Sequence, residues 1–162
     1  MGKYCLFGLN NDKTQCSADA DLKMDFFESV QNGKIKKVKK MLEIGTCIDT
    51  NIIVNYKDPA DGSSPLHKAS ENGHLEIVKI LIQNGAIVNA TNKCEYTPLN
   101  IAAENGHLEV VKILLINGAD TKIGNQFKWI PLHCAAIKGH INVVKYLAKS
   151  DDEDVQITKV HS

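Results

Sequence analysis

Two segments of this sequence are nearly the same and lie 33 residues apart. The letters SSPLHKASENGHLEIVKILIQNGAI run from Ser63 to Ile87, and EYTPLNIAAENGHLEVVKILLINGAD run from Glu95 to Asp120. The same offset extends to a third copy at Pro65, Pro98 and Pro131; Leu66, Leu99 and Leu132; Ala69, Ala102 and Ala135; Gly73, Gly106 and Gly139; His74, His107 and His140; Val78, Val111 and Val144; Lys79, Lys112 and Lys145; and Leu81, Leu114 and Leu147. Self-similarity at a fixed period is typical of a stacked repeat architecture rather than of an active site.

Within one period the residue order predicts two short helices. Proline fits the first helical position, and Ser64 or Thr97 directly before it can cap the helix. Gly106 can adopt the left-handed backbone that ends the first helix, and apolar residues at helical spacing follow from Leu108 to Leu115. Because helices shorter than about 12 to 15 residues are marginal alone in water, successive units are expected to stack on each other.

The letters TPLNIAAENGHLEVVKILLINGAD, residues 97 to 120, resemble the ankyrin repeat almost letter for letter. The resemblance covers Asp61 to about Ser150 and implies two antiparallel helices and a projecting β-turn, or finger, in each unit. We therefore predict an all-α ankyrin-repeat solenoid of about four helix-turn-helix units with β-turn fingers.

The flanks resemble the family less. We predict an N-terminal segment at 1–21 whose order the sequence leaves open, a degenerate first repeat with an extended finger at 22–57, repeats at 58–91, 92–124 and 125–150, and a C-terminal tail or partial cap at 151–162. Four acidic residues, Asp151 to Asp154, are unfavourable at a helix C-terminus, so we expect the last helix to end by Ser150. The outer face of the last repeat is then covered by the tail, by a partner or by further repeats of a longer chain.

Composition narrows the class of partner. Nineteen basic and nineteen acidic residues cancel, so the overall charge does not favour nucleic acid. The apolar runs are shorter than the roughly 20 residues that cross a bilayer, and no membrane contact is expected.

Five cysteines without a C-x-x-C pair indicate reduced thiols in a cytoplasmic protein. A nuclear location, suggested by the lysines from Lys34 to Lys40, and delivery into a host cell stay open, although those lysines also fit the solvated side of a terminal repeat. We expect a monomer.

The residues that could act in catalysis or bind a metal are not expected to come together at one site. His74, His107 and His140 lie in successive repeats, too far apart to share one metal ion. His133 and Cys134 are neighbours on one helix and point about 100° apart, and the resemblance instead implies that His67 and His133 tie adjacent turns together, with Asn100 in their place in the middle repeat. We predict no catalytic residue, no metal and no cofactor.

The resemblance implies that partners bind the finger tips and the exposed side of each first helix, on a concave face. Carried over to this sequence, the finger positions are Ala60, Asp61 and Ser63, then Lys93, Cys94 and Tyr96, then Gln126, Phe127 and Trp129. The helix positions are Glu71, Asn72, Glu104, Asn105, Ile137 and Lys138. Phe127 and Trp129 lie two apart on a segment expected to be extended, and they can form an exposed aromatic ridge. The alternative is that Trp129 and Ile130 fold onto the last repeat. The predicted function is a non-catalytic protein–protein interaction module, acting as an adaptor, scaffold or inhibitor. The alternative is a recognition fragment of a larger ankyrin-containing protein such as a secreted effector, channel or kinase.

Overall fold

The computed structural model describes residues 13–43 and 49–160, and this part of the chain contains helices and no β-strand. The helices are α1 (Lys13–Gln31), α2 (Ile35–Glu43), α3 (Thr50–Val54), α4 (Pro65–Glu71), α5 (Leu75–Gln83), α6 (Pro98–Glu104), α7 (Leu108–Ile116), α8 (Pro131–Ile137) and α9 (Ile141–Val160). The pairs α4–α5, α6–α7 and α8–α9 form three successive helix-turn-helix units after the pair α1–α2. The predicted all-α repeat fold is confirmed.

First helices stack on first helices and second helices on second helices. Helix α6 packs between α4 and α8, and α7 packs between α5 and α9. Leu81, Leu114 and Leu147 occupy matching places in consecutive layers and are all buried. Burial of one such side chain contributes roughly 1.5 to 3 kcal/mol, so the apolar positions that recur in the sequence form one continuous core.

The predicted caps begin the first helices. The Thr97 hydroxyl accepts a hydrogen bond from the backbone N–H of Asn100 at 3.2 Å, while the Asn100 side chain accepts one from the Thr97 N–H at 3.0 Å. In the preceding unit, His67 Nδ1 accepts from the Ser64 N–H at 3.1 Å. Ile130 has no side-chain oxygen, and only its N–H contacts His133 Nδ1, at 3.4 Å.

A glycine and a histidine join each unit to the next. Gly106 ends the α6 turn with a φ of 76°, and the His140 ring of the following unit lies directly against it. His140 Nε2 also bonds the Glu104 carbonyl at 2.9 Å. The same contacts link His107 to Gly73 and the Glu71 carbonyl, and His74 to Gly33 and the Gln31 carbonyl. These three histidines are therefore structural, each bonded to a different unit.

The segment between α2 and α4, which holds the surplus residues of the extended finger predicted for the first repeat, is partly helical. The surplus segment contains helix α3, whose first turn is capped by Asp49 through a bond from the Asn51 N–H at 2.9 Å. Its residues Ile53 and Val54 are buried, and this burial favours a helical turn over an extended loop. Residues 44–48 lie outside the described part, as do 1–12 of the N-terminal segment predicted at 1–21, whereas residues 13–21 belong to α1.

The last helix also differs from the prediction, because α9 continues past Ser150 to Val160. Helices α5 and α7 are followed by Gly85 and Gly118, which have φ values of 85° and 83°. The equivalent residue in the last unit is Asp151, which adopts that left-handed backbone far less readily than glycine does. Without a residue that ends the helix, the four acids stand inside α9, where the penalty expected at a C-terminus does not apply.

The lysine-rich helix α2 is amphipathic. Val38 and Met41 are buried, whereas the five lysines from Lys34 to Lys40 are exposed, and Lys37 pairs with Asp25. This arrangement is that of a solvated outer face. None of the described helices has the length and apolar composition that a membrane crossing requires.

His67 shows how burial acts on a junction residue. The ring is fully buried, and its Nε2 bonds the Tyr96 carbonyl of the next unit at 3.0 Å. Because Nδ1 accepts from the Ser64 N–H, the proton of the neutral ring lies on Nε2 and is donated to Tyr96. Burial lowers the pKa of His67 from 6.5 to about 4, against the opposing effect of the Tyr96 hydrogen bond.

We predict that Gly106→Ala is more destabilising than Gly139→Ala. Both glycines have similar positive φ values, but a Cβ at Gly106 would lie 2.5 Å from His140 Nδ1, whereas a Cβ at Gly139 meets nothing within 4 Å. The shared backbone strain costs about 1 to 2 kcal/mol, and the overpacking adds about 1 to 3 kcal/mol for Gly106 alone. Urea denaturation measures both; equal losses of unfolding free energy would contradict the ring contact.

We predict that His67 makes stability depend on pH between 6.5 and about 4. The folded pKa is below the unfolded one, so the unfolded chain binds the proton more readily in this window and the stabilisation present above pH 6.5 is lost as the pH falls. The loss is on the order of 3 kcal/mol. His67→Asn, which copies Asn100 of the next unit, is the control: urea midpoints of the two proteins should diverge across this pH range, and parallel curves would exclude His67 as the cause.

Candidate partner-binding face

The fingers are tight turns built around one side chain each. Asn92 Oδ1 accepts from the N–H groups of Cys94 and Tyr96, both at 3.0 Å. Asn125 Oδ1 accepts from those of Phe127 at 2.9 Å and Trp129 at 3.1 Å. Such turns are typical of asparagine, whose side chain mimics a backbone acceptor. The fingers therefore carry their outer side chains on an ordered backbone.

Neighbouring fingers are joined through their backbones. The N–H of Lys93 donates to the Asp61 carbonyl at 2.9 Å, and the N–H of Gln126 donates to the Cys94 carbonyl at 3.1 Å, one repeat later. The Lys93 ammonium also bonds the carbonyls of Pro59 at 2.6 Å and Ala60 at 2.9 Å. Lys93, predicted to contact a partner, thus fastens its own finger to the previous one, while the Gln126 side chain is exposed.

Phe127 and Trp129 form an exposed pair at the tip of the last finger. Their exposed fractions are 59% and 41%, and their ring centroids lie 5.5 Å apart with an interplanar angle of 41°. Of the two arrangements left open by the sequence, the exposed one is present. The reason differs from the one expected, because Lys128 between them has a φ of 63° and the rings meet across a turn, not along an extended strand.

Ile137 belongs to the same region by repeat position. Tyr96 lies beside Glu104 in the third unit, and Trp129 and Ile137 are their equivalents in the fourth. Ile137 is 59% exposed. We call Phe127, Trp129 and Ile137 the aromatic patch. Ile137 is one of the helix positions predicted for the binding face, and it is apolar where the two preceding units have glutamate.

Tyr96 lies partly buried at the boundary between the third and fourth units. Its pKa is raised, first by burial and then by the negative charge of Glu104. Glu104 in turn pairs with Lys138, which directly follows α8, with 3.3 Å between the carboxylate and the ammonium. These three predicted residues are therefore brought together, next to the aromatic patch.

In the second unit the charges are also paired. The Lys68 ammonium lies 3.1 Å from Asp61 and 3.3 Å from Glu71. Burial alone would raise the pKa of Asp61, but hydrogen bonds from Ser63 and Lys68 outweigh it and the pKa is lowered. Ion pairs at the protein surface contribute about 0 to 1 kcal/mol, so these two pairs balance charge on this face more than they stabilise the fold.

Asn72 and Asn105 lie at the ends of α4 and α6. Each side-chain amide donates at 2.9 Å to a carbonyl one turn earlier, that of Lys68 and that of Ile101. Both asparagines are exposed. The structure gives them a role in ending their helices, and contact with a partner stays a prediction for both.

The described part of the chain offers no group of three or more His, Cys, Asp or Glu residues able to hold a metal ion. Cys134 is buried under the last finger. Its pKa is raised, first by burial and then by the Glu104 charge, which keeps the thiol protonated and unreactive.

Comparison with known proteins gives matches in the same region. A family model described as ankyrin repeats (3 copies) matches residues 26–125 and 88–159. BRCA1-associated RING domain protein 1 of Caenorhabditis elegans is 43% identical over 63 residues, which are 39% of this chain and 8% of that protein. E3 ubiquitin-protein ligase XBAT33 of Arabidopsis thaliana is 33% identical over 82 residues, 51% of this chain and 14% of the ligase. Notch-regulated ankyrin repeat-containing protein A of Danio rerio is 34% identical over 82 residues, 51% of this chain and 68% of that protein.

The chain therefore spans only a small part of the first two relatives and about two thirds of the third. The family model covers most of the chain, and its matched residues include α4 to α8 with their fingers. This protein belongs to the ankyrin repeat family.

Proposed function

We propose that this chain is a non-catalytic protein-binding module whose contact surface is the finger tips and first helices, with the aromatic patch at its centre. The observation that carries the proposal is the exposed contact between Phe127 and Trp129. Ankyrin repeats are generally protein–protein interaction modules. Large aromatic residues are over-represented among the side chains that dominate binding energy, and a soluble chain has little structural reason to expose this pair.

The rigidity of the fingers supports this proposal. The Phe127 and Trp129 N–H groups both bond the Asn125 side chain, and Gln126 bonds the preceding finger. A partner that docks on these rings therefore meets a backbone that is already ordered. Less conformational entropy is lost on binding, and more of the buried apolar area becomes affinity.

The paired charges indicate which contacts supply the affinity. Glu104 and Lys138 neutralise each other, as Lys68 does with Asp61 and Glu71. A partner that used these groups would first have to break an existing pair. Apolar contact with the aromatic patch is therefore the main attractive term, and the charged residues around it form the polar rim of the interface.

A second candidate is that the module is the recognition segment of a longer protein. The coverage of the relatives favours it, because the matched region is 14% of the ubiquitin ligase XBAT33 and 8% of the RING domain protein. An antibody raised against this chain distinguishes the candidates on an immunoblot of the native cell. A band near 17.8 kDa supports the free-standing module, and a much larger band supports the longer protein.

We predict that the double change of Phe127 and Trp129 to alanine abolishes partner capture without unfolding the chain. Loss of two binding hot spots, each about 2 kcal/mol or more, removes about 4 kcal/mol when the two losses add, which weakens affinity by roughly several hundredfold. Both side chains are exposed, so the unfolding free energy should change by less than about 0.5 kcal/mol for each. Affinity capture from the native cell with mass spectrometry, beside urea denaturation of the same variant, measures both quantities.

Ile116→Ala is the matched control, because Ile116 is 75% exposed but ends a second helix, away from the fingers. It should leave capture unchanged. If the double variant retains its partners at wild-type levels, the aromatic patch is not the binding surface.

A further inference from the structure

Three contacts recur at each junction between full repeats. Where the second unit meets the third, the Asp61 carbonyl accepts from the Lys93 N–H at 2.9 Å, and His67 Nε2 bonds the Tyr96 carbonyl at 3.0 Å. The third contact is the His107 ring, which covers Gly73. The first two contacts are both made by one four-residue turn of the third unit, at 93–96. Lys93 is its first residue and donates its N–H, and Tyr96 is its fourth residue and contributes its carbonyl.

The next junction repeats this arrangement. The Cys94 carbonyl accepts from the Gln126 N–H at 3.1 Å, and the Asn100 amide donates to the Trp129 carbonyl at 3.3 Å. The His140 ring covers Gly106. The incoming turns also share a backbone feature, since their third residues, Glu95 and Lys128, both have φ near 60°. A β-turn of defined shape is therefore what the C-terminal side of each unit binds.

The last unit presents the same groups without an occupant in the described part of the chain. The equivalents of Asp61, His67 and Gly73 are Phe127, His133 and Gly139. His133 is exposed, its Nδ1 faces the Ile130 N–H, and its Nε2 is left to donate. Nothing lies within 4 Å of a Cβ built on Gly139.

Apolar residues surround these groups. Ser70 and Ala103, which face the junctions of the second and third units, are fully buried, whereas the equivalent Ala136 is exposed. Ile137 and Ile141 are 59% and 64% exposed. The face thus continues the established inter-repeat interface in both hydrogen bonding and apolar character.

We propose that this end face, formed by Phe127, His133, Ala136, Ile137 and Gly139, binds a β-turn presented by a different protein. The first residue of the turn donates its N–H to the Phe127 carbonyl. The carbonyl of its fourth residue accepts a hydrogen bond from His133 Nε2. Its fourth side chain is apolar, as Tyr96 and Trp129 are in the turns already bound. The proposal rests on the proposed function and specifies the shape of a partner segment.

Neither the following residues nor a second copy matches this occupant as well. Helix α9 runs unbroken to Val160, whereas α5 and α7 give way at Gly85 and Gly118 to the next finger. Two of the turns in the chain, at 93–96 and 126–129, already bind a preceding unit through the N–H of their first residue and the carbonyl of their fourth. The third, at 58–63, ends in buried Ser63 and lacks the apolar fourth side chain.

The test is a titration of the full-length, ¹⁵N-labelled chain, followed by two-dimensional NMR, with a cyclic peptide of its own residues 88–97 in which Cys94 is replaced by serine. We expect saturable shifts at residues 127, 133, 137 and 139 in the millimolar range, with residues 71 and 72 unaffected. A peptide that also carries Tyr96→Ser should bind at least about fivefold more weakly, because the apolar fourth side chain is lost.

Variants of His133 separate hydrogen bonding from simple contact. His133→Ala should weaken the peptide about fivefold, as expected for one hydrogen bond of about 1 kcal/mol, while His133→Asn, which copies Asn100, should retain binding. Absence of shifts at millimolar peptide, or equal binding to the alanine variant, overturns the proposal. Shifts of the same residues with protein concentration alone would assign the face to a second copy and overturn it as well.

These outcomes stay distinct from a failure of the proposed function, because His133→Ala leaves the aromatic patch intact. If the peptide does not bind but partner capture still depends on Phe127 and Trp129, only the end-face proposal is overturned. If the peptide binds but partner capture does not depend on those two residues, only the role of the aromatic patch is overturned.

Discussion

The structure depends on apolar burial between helices that are too short to persist alone. Helices α4 to α8 have seven or nine residues each, below the roughly 12 to 15 at which an isolated helix becomes stable in water. Leu66 and Leu99 of the first helices, like Leu81 and Leu114 of the second, are fully buried only because another unit lies against them. Folding of each unit is thus tied to its neighbours, and a position that fits one junction recurs at the next.

This dependence divides the residues of a unit into two groups. Positions that face a neighbouring unit are held constant, as with the glycines at 73, 106 and 139 and the histidines that follow them. Other positions vary, and from the second to the fourth unit the finger position reads Ser63, Tyr96 and Trp129 while the helix position reads Glu71, Glu104 and Ile137. The outer surface therefore passes from paired charges to apolar side chains along the stack, although the backbone beneath it hardly changes.

The periodic part of the fold could be predicted because every expectation there had an equivalent in another unit. The proline starts, the glycine ends and the buried leucines were all visible in the sequence. The two features that were not predicted, the helix in the surplus segment and the length of the last helix, fall where no equivalent existed. Asp49 followed by apolar residues was a readable sign of helix α3, but the surplus segment had no second copy to compare with it. At the other end, the absence of glycine at position 151 outweighs the acids from Asp151 to Asp154 in deciding where the helix ends.

The candidate site was less predictable than the fold because its features depend on contacts between distant residues. The family pattern placed Lys93 at a finger tip, but it gave no sign that its ammonium bonds Pro59 and Ala60. Whether Trp129 was exposed could not be decided from its type, since tryptophan is common both in cores and at interfaces. Its exposure depends on the turn at Lys128 and on which residues cover the last unit.

The same tryptophan belongs both to the repeat stack and to the proposed aromatic patch. Its carbonyl is held by Asn100 at 3.3 Å and its N–H by Asn125 at 3.1 Å, so the backbone belongs to the stack. Its ring, in contrast, points out beside Phe127 and is available to a partner. A molecule that contacts the ring need not break any bond that joins the repeats. Binding energy and folding energy are thereby carried by different atoms of one residue, and the fourth finger can change its specificity without weakening the solenoid.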